Sequence, residues 1–227
     1  MMLKAIGLAK DYKGPNGPLH VLRGVDLEII RGELVFIVGR SGTGKSTLLH
    51  LLGGLDRPTK GSVEFEGDDI STLGEAALAR YRNQKVGFVF QFYHLLPELT
   101  VEENVVLPSW IRGKRDSRRA DTLLKEVGLW QRRGHLPSEL SGGEQQRVAI
   151  ARSLVNEPDI VFCDEPTGNL DEETANTVHE LIFKLNERGQ TFCIVTHEES
   201  FAQKSDRVYR LHEGLVQNIS KVGGISP

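Results

Sequence analysis

The chain has 227 residues, 26% of them charged, with 24 glycines and a formal net charge of −3. That length permits one or two domains and a sizeable core, in a composition that suits an α/β protein. The near balance of charge gives no global drive toward nucleic acid. No secretion signal follows Met1-Met2-Leu3-Lys4 and no run approaches the length of an apolar spanning helix, so work at a membrane is expected to go through a partner.

In chain order, Asn16-Gly17 between Pro15 and Pro18 marks a turn near the N-terminus. Val25, Leu27 and Ile29 alternate with Asp26 and Glu28, and Val63 and Phe65 alternate with Glu64 and Glu66. Both patterns predict half-exposed strands of an antiparallel layer. Between them, residues 34–38 are wholly apolar, as in a buried parallel strand, and residues 45–49 open a helix. Residues 86–90 form another strand candidate, ending at Gln91.

From Phe92 the pattern changes. Thr100-Val101-Glu102-Glu103 is a capping box that starts a helix, which Pro108 limits or kinks. Ala120, Leu123, Leu124 and Val127 share one face of a further helix that Gly128 closes. Residues 92–157 are therefore expected to be a helical subdomain inserted into a core of residues 1–91 and 158–227. The core resumes with a buried strand at 160–163 and an amphipathic helix through Val178, Leu181, Ile182 and Leu185, stopped near Gly189. A buried strand at 192–195 follows, then two strands flanking a turn at Glu213-Gly214, and a polar tail from Ser220 that is expected to fray. Cys163 and Cys193 lie in apolar runs and read as buried core residues in a reducing compartment.

The chemistry sits at the junctions. Gly39-Arg40-Ser41-Gly42-Thr43-Gly44-Lys45-Ser46-Thr47 joins the buried strand to the helix. Its glycines let successive backbone N–H groups turn onto a polyphosphate, and the helix N-terminus adds partial positive charge. Lys45 reaches the β- and γ-phosphates of a bound nucleotide, and the Ser46 hydroxyl binds Mg²⁺. This loop alone is shared by kinases, GTPases and ATPases.

Three more candidates follow predicted strands, where the functional residues of open parallel sheets gather. They are Gln91, the pair Asp164-Glu165, and His197. Asp164 is suited to Mg²⁺ and Glu165 to general-base attack by water. His197 offers charge stabilisation near the γ-phosphate. Gln91 offers a ligand to the metal or the attacking water. A second capping box, Ser141-Gly142-Gly143-Glu144, opens the helix through Val148 and Ala151. Consecutive glycines are costly in a helix, so the pair suggests close approach by an anion at a helix tip. One chain already has one phosphate loop. The second site is therefore expected to take the γ-phosphate of ATP bound to another copy.

The order of these motifs, with Gly168-Asn169-Leu170-Asp171 after Glu165, resembles the ATPase subunits of ATP-binding-cassette transporters over about residues 3–216. The resemblance implies a P-loop NTPase core with a mainly parallel sheet, an antiparallel β subdomain and an inserted α-helical subdomain. It implies that Tyr12 stacks on adenine, that Asp171 lies in a loop facing the opposite subunit, and that Ser141, Gly142, Gly143 and Glu144 cover the partner's ATP. From its own surroundings in the sequence Tyr12 reads equally as an ordinary core or surface aromatic.

Residues 48–56, 82–88, 91–97, 137–140 and 165–171 resemble the lipoprotein-release and macrolide-export group in particular. Residues 92–97 are most similar to lipoprotein-release ATPases, although Tyr93 stands where His is frequent and Thr43 where Ser is commoner. The implied partners are a second copy, forming an ATP-sandwich dimer, and integral membrane transporter subunits, with no nucleic acid. The implied location is peripheral, on the cytoplasmic face of a bacterial inner membrane. The implied cargo is a lipoprotein, with macrolide, peptide and cell-division relatives as alternatives. A non-transport cassette ATPase is more remote, because neither a long coiled-coil insertion nor a second cassette is present. Phe92, Tyr93, Leu95 and Leu96 serve either as helical-subdomain core or as a partner-docking surface. Arg112, Lys114, Arg115, Arg118 and Arg119 form a solvated face or meet an acidic membrane surface.

Overall fold

A computed structural model of the chain describes residues 1–14, 17–114 and 116–220. Pro15 and Asn16 at the expected Asn16-Gly17 turn, Arg115 of the basic set and the tail beyond Ser220 lie outside the described residues. Two compact units are present, Met1–Leu73 with Cys193–Pro227, and Gly74–Phe192.

The first unit opens with β1 (Leu3–Gly14) and β2 (Gly17–Ile29), which pair antiparallel. In β2 Val25, Leu27 and Ile29 point into the core while Asp26 is exposed, as the alternation predicts. The sequence reading did not identify β1. Its register shifts between Ala5 and Leu8, and Gly7 has φ 54°, so the alternation breaks at a bulge. β3 (Leu34–Val38) is completely buried and leads into α1 (Lys45–Leu52). β4 (Lys60–Phe65) pairs with β1 and with the short β5 (Asp68–Asp69), both antiparallel.

The second unit begins with α2 (Glu75–Lys85), which the sequence reading also passed over. Only Leu78 and Tyr81 of this helix are buried, so it carries little apolar periodicity. β6 (Val86–Phe90) follows, then α3 (Val101–Ile111), α4 (Ser117–Glu126) and α5 (Gly142–Leu154). The Thr100–Glu103 capping box makes both its bonds, and Pro108 lies inside α3 without ending it. Gly128 closes α4 with φ 73°. α5 packs on α3, α4 and β6. Next come β7 (Ile160–Asp164), parallel to β6, and α6 (Glu172–Glu187).

β8 (Thr191–Thr196) carries the chain from the second unit back into the first. There β9 (Arg207–His212) runs parallel to β3, and β10 (Leu215–Asn218) returns antiparallel. Glu213 and Gly214 both take positive φ between them, the two-residue hairpin turn expected there. Cys163 and Cys193 are both buried.

Candidate nucleotide site and the Ser141 helix tip

In the first unit the phosphate loop leaves β3 under tight constraint. A Cβ on Gly39 would lie 2.6 Å from the Leu211 carbonyl oxygen, and one on Gly44 would lie 2.7 Å from Val21 Cγ1. Gly44 is the N-cap of α1 with φ 99°, a conformation natural to glycine. The loop thus follows its course because two of its glycines press on β9 and β2. Thr43 closes it by donating from Oγ1 to the Arg40 carbonyl at 2.9 Å. Lys45 is only 6% exposed, and its Nζ donates to the Gly39 and Arg40 carbonyls at 2.9 and 3.2 Å. Arg40, Ser41, Gly42 and Ser46 are exposed beside it.

Tyr12 lies within reach of this helix. Its hydroxyl donates to Asp56 Oδ2 at 2.9 Å and also bonds to Thr47. Lys10 Nζ stands 4.9 Å from the ring centroid and donates to Asp56 Oδ1 at 2.7 Å. Burial and the Asp56 carboxylate raise the Tyr12 pKa. Burial by itself would raise that of Asp56, but Lys10, the Arg57 amide and Tyr12 together hold it low. Tyr12 is 40% exposed and is held at its hydroxyl end. Asp56 and Lys10, which hold it, carried no signal of that role in the sequence beyond their charge. His197 is exposed directly after β8.

In the second unit the parallel register pairs Phe90 with Asp164. Gln91 and Glu165 therefore leave neighbouring strands side by side. Glu165 has φ 45°, a strained value for a residue with a side chain. Gln91 is locked by a reciprocal pair: its Nε2 donates to Asn169 Oδ1 at 3.0 Å, and Asn169 Nδ2 donates to the Gln91 carbonyl at 3.1 Å. A Cβ on Gly168 would lie 3.0 Å from Gln91 Nε2 and 3.5 Å from Glu165 Cβ. Gln91, Glu165, Gly168 and Asn169 thus form one cluster, with Asp164 at its base.

Ser141 caps α5, accepting from the Glu144 amide at 3.2 Å while its own N–H donates to Glu144 Oε2 at 2.8 Å. The Ser141 amide is the main reason the Glu144 pKa is lowered, and Arg132 and Arg147 add to it. The space beside both glycines is used by the chain itself. A Cβ on Gly143 would collide with the Thr174 methyl, and one on Gly142 would lie 2.8 Å from the Tyr93 hydroxyl. Side chains of the same unit therefore already take up the space beside both glycines, whatever approaches Ser141. Asp171 caps α6, accepting from the Thr174 N–H at 3.0 Å and from its hydroxyl at 2.7 Å. Gln146, which the sequence reading did not single out, is fully buried in α5 and donates to the Pro166 carbonyl.

The docking and basic segments divide. Phe92 and Leu96 are 67% and 43% exposed, whereas Tyr93 and Leu95 are half-buried. Arg112, Lys114 and Arg118 are exposed, and Arg119 stands 3.8 Å from Glu157.

The family described as ABC transporter matches residues 22–168. A curated relative from Geobacter metallireducens, the lipoprotein-releasing system ATP-binding protein LolD, is 52% identical, with 95% of this chain and 97% of that protein covered. A protein of the same name from Alcanivorax borkumensis is 50% identical, covering 96% and 97%. Among solved structures, the dimeric ATP-binding cassette MJ0796 in a post-hydrolysis state bound to ADP and Pi superposes with TM-score 0.89 at 40% identity. That superposition covers 98% of this chain and 100% of that one.

Proposed function

This chain belongs to the ABC transporter family, and on that premise we propose that it is the ATP-hydrolysing subunit of a bacterial lipoprotein-releasing transport system. The observation that carries the reading is the presence of two helix tips suited to phosphate in one chain, at Lys45 and at Ser141. Each copy binds ATP at its phosphate loop, and the Ser141 tip of the second copy completes the site. The dimeric, ADP- and Pi-bound cassette that the chain resembles supports this arrangement. Residues 1–91 and 158–227 act as the nucleotide-binding core, and 92–157 as the helical subdomain.

Within that site the roles follow from charge and position. Tyr12 stacks on adenine. Lys45 holds the β- and γ-phosphates, together with the backbone of residues 39–44 and the Ser46 and Thr47 end of α1. Glu165 accepts the proton of the attacking water, and Gln91 orients that water. His197 stabilises the γ-phosphate. Gly142, Gly143 and Glu144 shape the tip that presents Ser141, and Asp171 faces the second copy.

The proposed Mg²⁺ ligands are Ser46, Gln91 and Asp164, each of which can offer the oxygen that this cation prefers. The bond from Gln91 Nε2 to Asn169 identifies the amide nitrogen, so oxygen is the atom Gln91 offers a cation. Bound Mg²⁺ supplies charge that offsets the phosphates.

No helix of the described residues is long and apolar enough to cross a membrane. The work is delivered to separate integral membrane subunits, with the exposed Phe92 and Leu96 as contacts, from the cytoplasmic face of the inner membrane. The names of the relatives support lipoprotein as the cargo. Glu165→Gln tests the reading. It is expected to bind ATP, lose turnover by about 10²–10⁴-fold and accumulate an ATP-bound dimer on size exclusion. Turnover near the wild-type rate would refute the role of Glu165.

A further inference from the structure

The segment after Gln91 is tied to both ends of the helix that carries Ser141. Toward the C-terminal end of α5, Arg152 donates from Nη2 to the Tyr93 carbonyl at 2.8 Å and from Nη1 to the His94 carbonyl at 2.5 Å. Burial lowers the Arg152 pKa, yet a guanidinium keeps its charge and its rigid fork. His94 is held at φ 48°, and its ring meets Phe90 edge to face with centroids 5.2 Å apart. The backbone on both sides of Tyr93 is therefore fixed. Its side chain then runs to the opposite end of α5, where the hydroxyl lies over Gly142. Residues 142 and 152 are about 15 Å apart along a helix, a span that the Arg152 and Tyr93 side chains cover together.

We propose that Tyr93 is a positioning residue for the Ser141–Gly142 tip, linking the exposed 92–96 segment to the surface offered to a second copy. The inference rests on the reading that this tip receives the partner's nucleotide.

Within the unit, one atom closes the space beside Gly142. Gly142 takes no positive φ, so backbone conformation does not require glycine, and it is the first helical residue, where alanine is well tolerated. A Cβ there would meet the Tyr93 hydroxyl oxygen at 2.8 Å. The next neighbours, Leu170 Cδ2 at 3.4 Å and Tyr93 Cζ at 3.7 Å, are at ordinary packing distances. Displacement of the 92–96 segment by a docked partner moves the tyrosine, and with it the atom that bears on the tip.

The test uses the full chain in the Glu165→Gln background, with ATP-driven dimerisation measured by sedimentation. ATP binding by the monomer and thermal melting are followed alongside. Gly142→Ala is expected to weaken dimerisation about tenfold or more, and Tyr93→Phe alone, which removes the hydroxyl packed against the tip, about threefold. Adding Tyr93→Phe to Gly142→Ala should restore dimerisation to the Tyr93→Phe level, with monomer ATP affinity unchanged throughout. Arg152→Lys loses the fork, and its effect should be non-additive with that of Tyr93→Phe.

The proposal is overturned if Gly142→Ala is harmless, or if its defect is the same with and without the tyrosine hydroxyl. The latter result would assign Gly142 to the partner's phosphate alone and leave the functional reading standing. If Gly142→Ala prevents folding, the Arg152→Lys and Tyr93→Phe pair decides, and additive losses overturn the proposal. A Glu165→Gln chain that never dimerises with ATP sinks the functional reading instead.

Discussion

Asn104→Ala is expected to loosen the 92–99 segment while leaving α3 intact. Asn104 is fully buried. Its Oδ1 accepts from the Leu96 amide at 2.8 Å, and its Nδ2 donates to the carbonyls of Leu96, Leu99 and Thr100 at 3.0, 2.9 and 3.1 Å. Two amide hydrogens serve three acceptors, so the net loss is equivalent to three hydrogen bonds, each contributing about 1 kcal/mol. The Leu96 side chain is 43% exposed, which lets water reach part of the freed backbone and keeps the cost near the lower end. A total of about 2–3 kcal/mol converts to a fall in Tm of about 4–12 °C for a chain of this size. Scanning calorimetry measures the fall, and hydrogen exchange at the Leu96 amide shows whether protection is lost there first. A Tm within about 2 °C of wild type with Leu96 still protected would refute the assignment.

Gly143→Ala is expected to cost about 1–3 kcal/mol in urea unfolding through its collision with the Thr174 methyl. Thr174→Ser should recover most of that loss while keeping a hydroxyl for Asp171, and no recovery would refute the packing account. Tyr12→Ala should raise the KM for ATP about tenfold through loss of base stacking. Tyr12→Phe, which loses only the bonds to Asp56 and Thr47, should raise it about threefold; equal effects would argue against a stacking ring.

Burial pushes the His179 pKa down from 6.5 to about 4, with Nε2 3.1 Å from Thr167 Oγ1. The unfolded chain takes up the proton first, so this contribution to stability is complete above about pH 6.5 and is lost as pH falls toward about 4. His179→Gln should flatten that part of the Tm–pH profile, and an unchanged profile would refute it.

What was readable from sequence is what short-range chemistry decides. Both capping boxes, at Thr100 and Ser141, make the bonds their spacing implies. The apolar runs at 34–38, 86–90 and 160–163 are strands, and the polar residues after them stand at strand ends. β1 was missed because the bulge at Gly7 breaks its period, and α2 because so little of it is buried. A local break in pattern removes the signal that a sequence reading depends on.

Long-range contact decided the rest. The sequence by itself determined that two glycines precede Glu144. Only the tertiary structure decided that Tyr93, 49 positions before Gly142, and Thr174, 31 positions after Gly143, fill the space beside them. Likewise Gln91 and Asn169, separated by 78 positions, lock each other only because β6 and β7 run parallel in register. Hydrogen-bond caps and hydrophobic periods are set within a few residues of chain, whereas steric room at a backbone atom depends on whichever distant segment the fold packs against it.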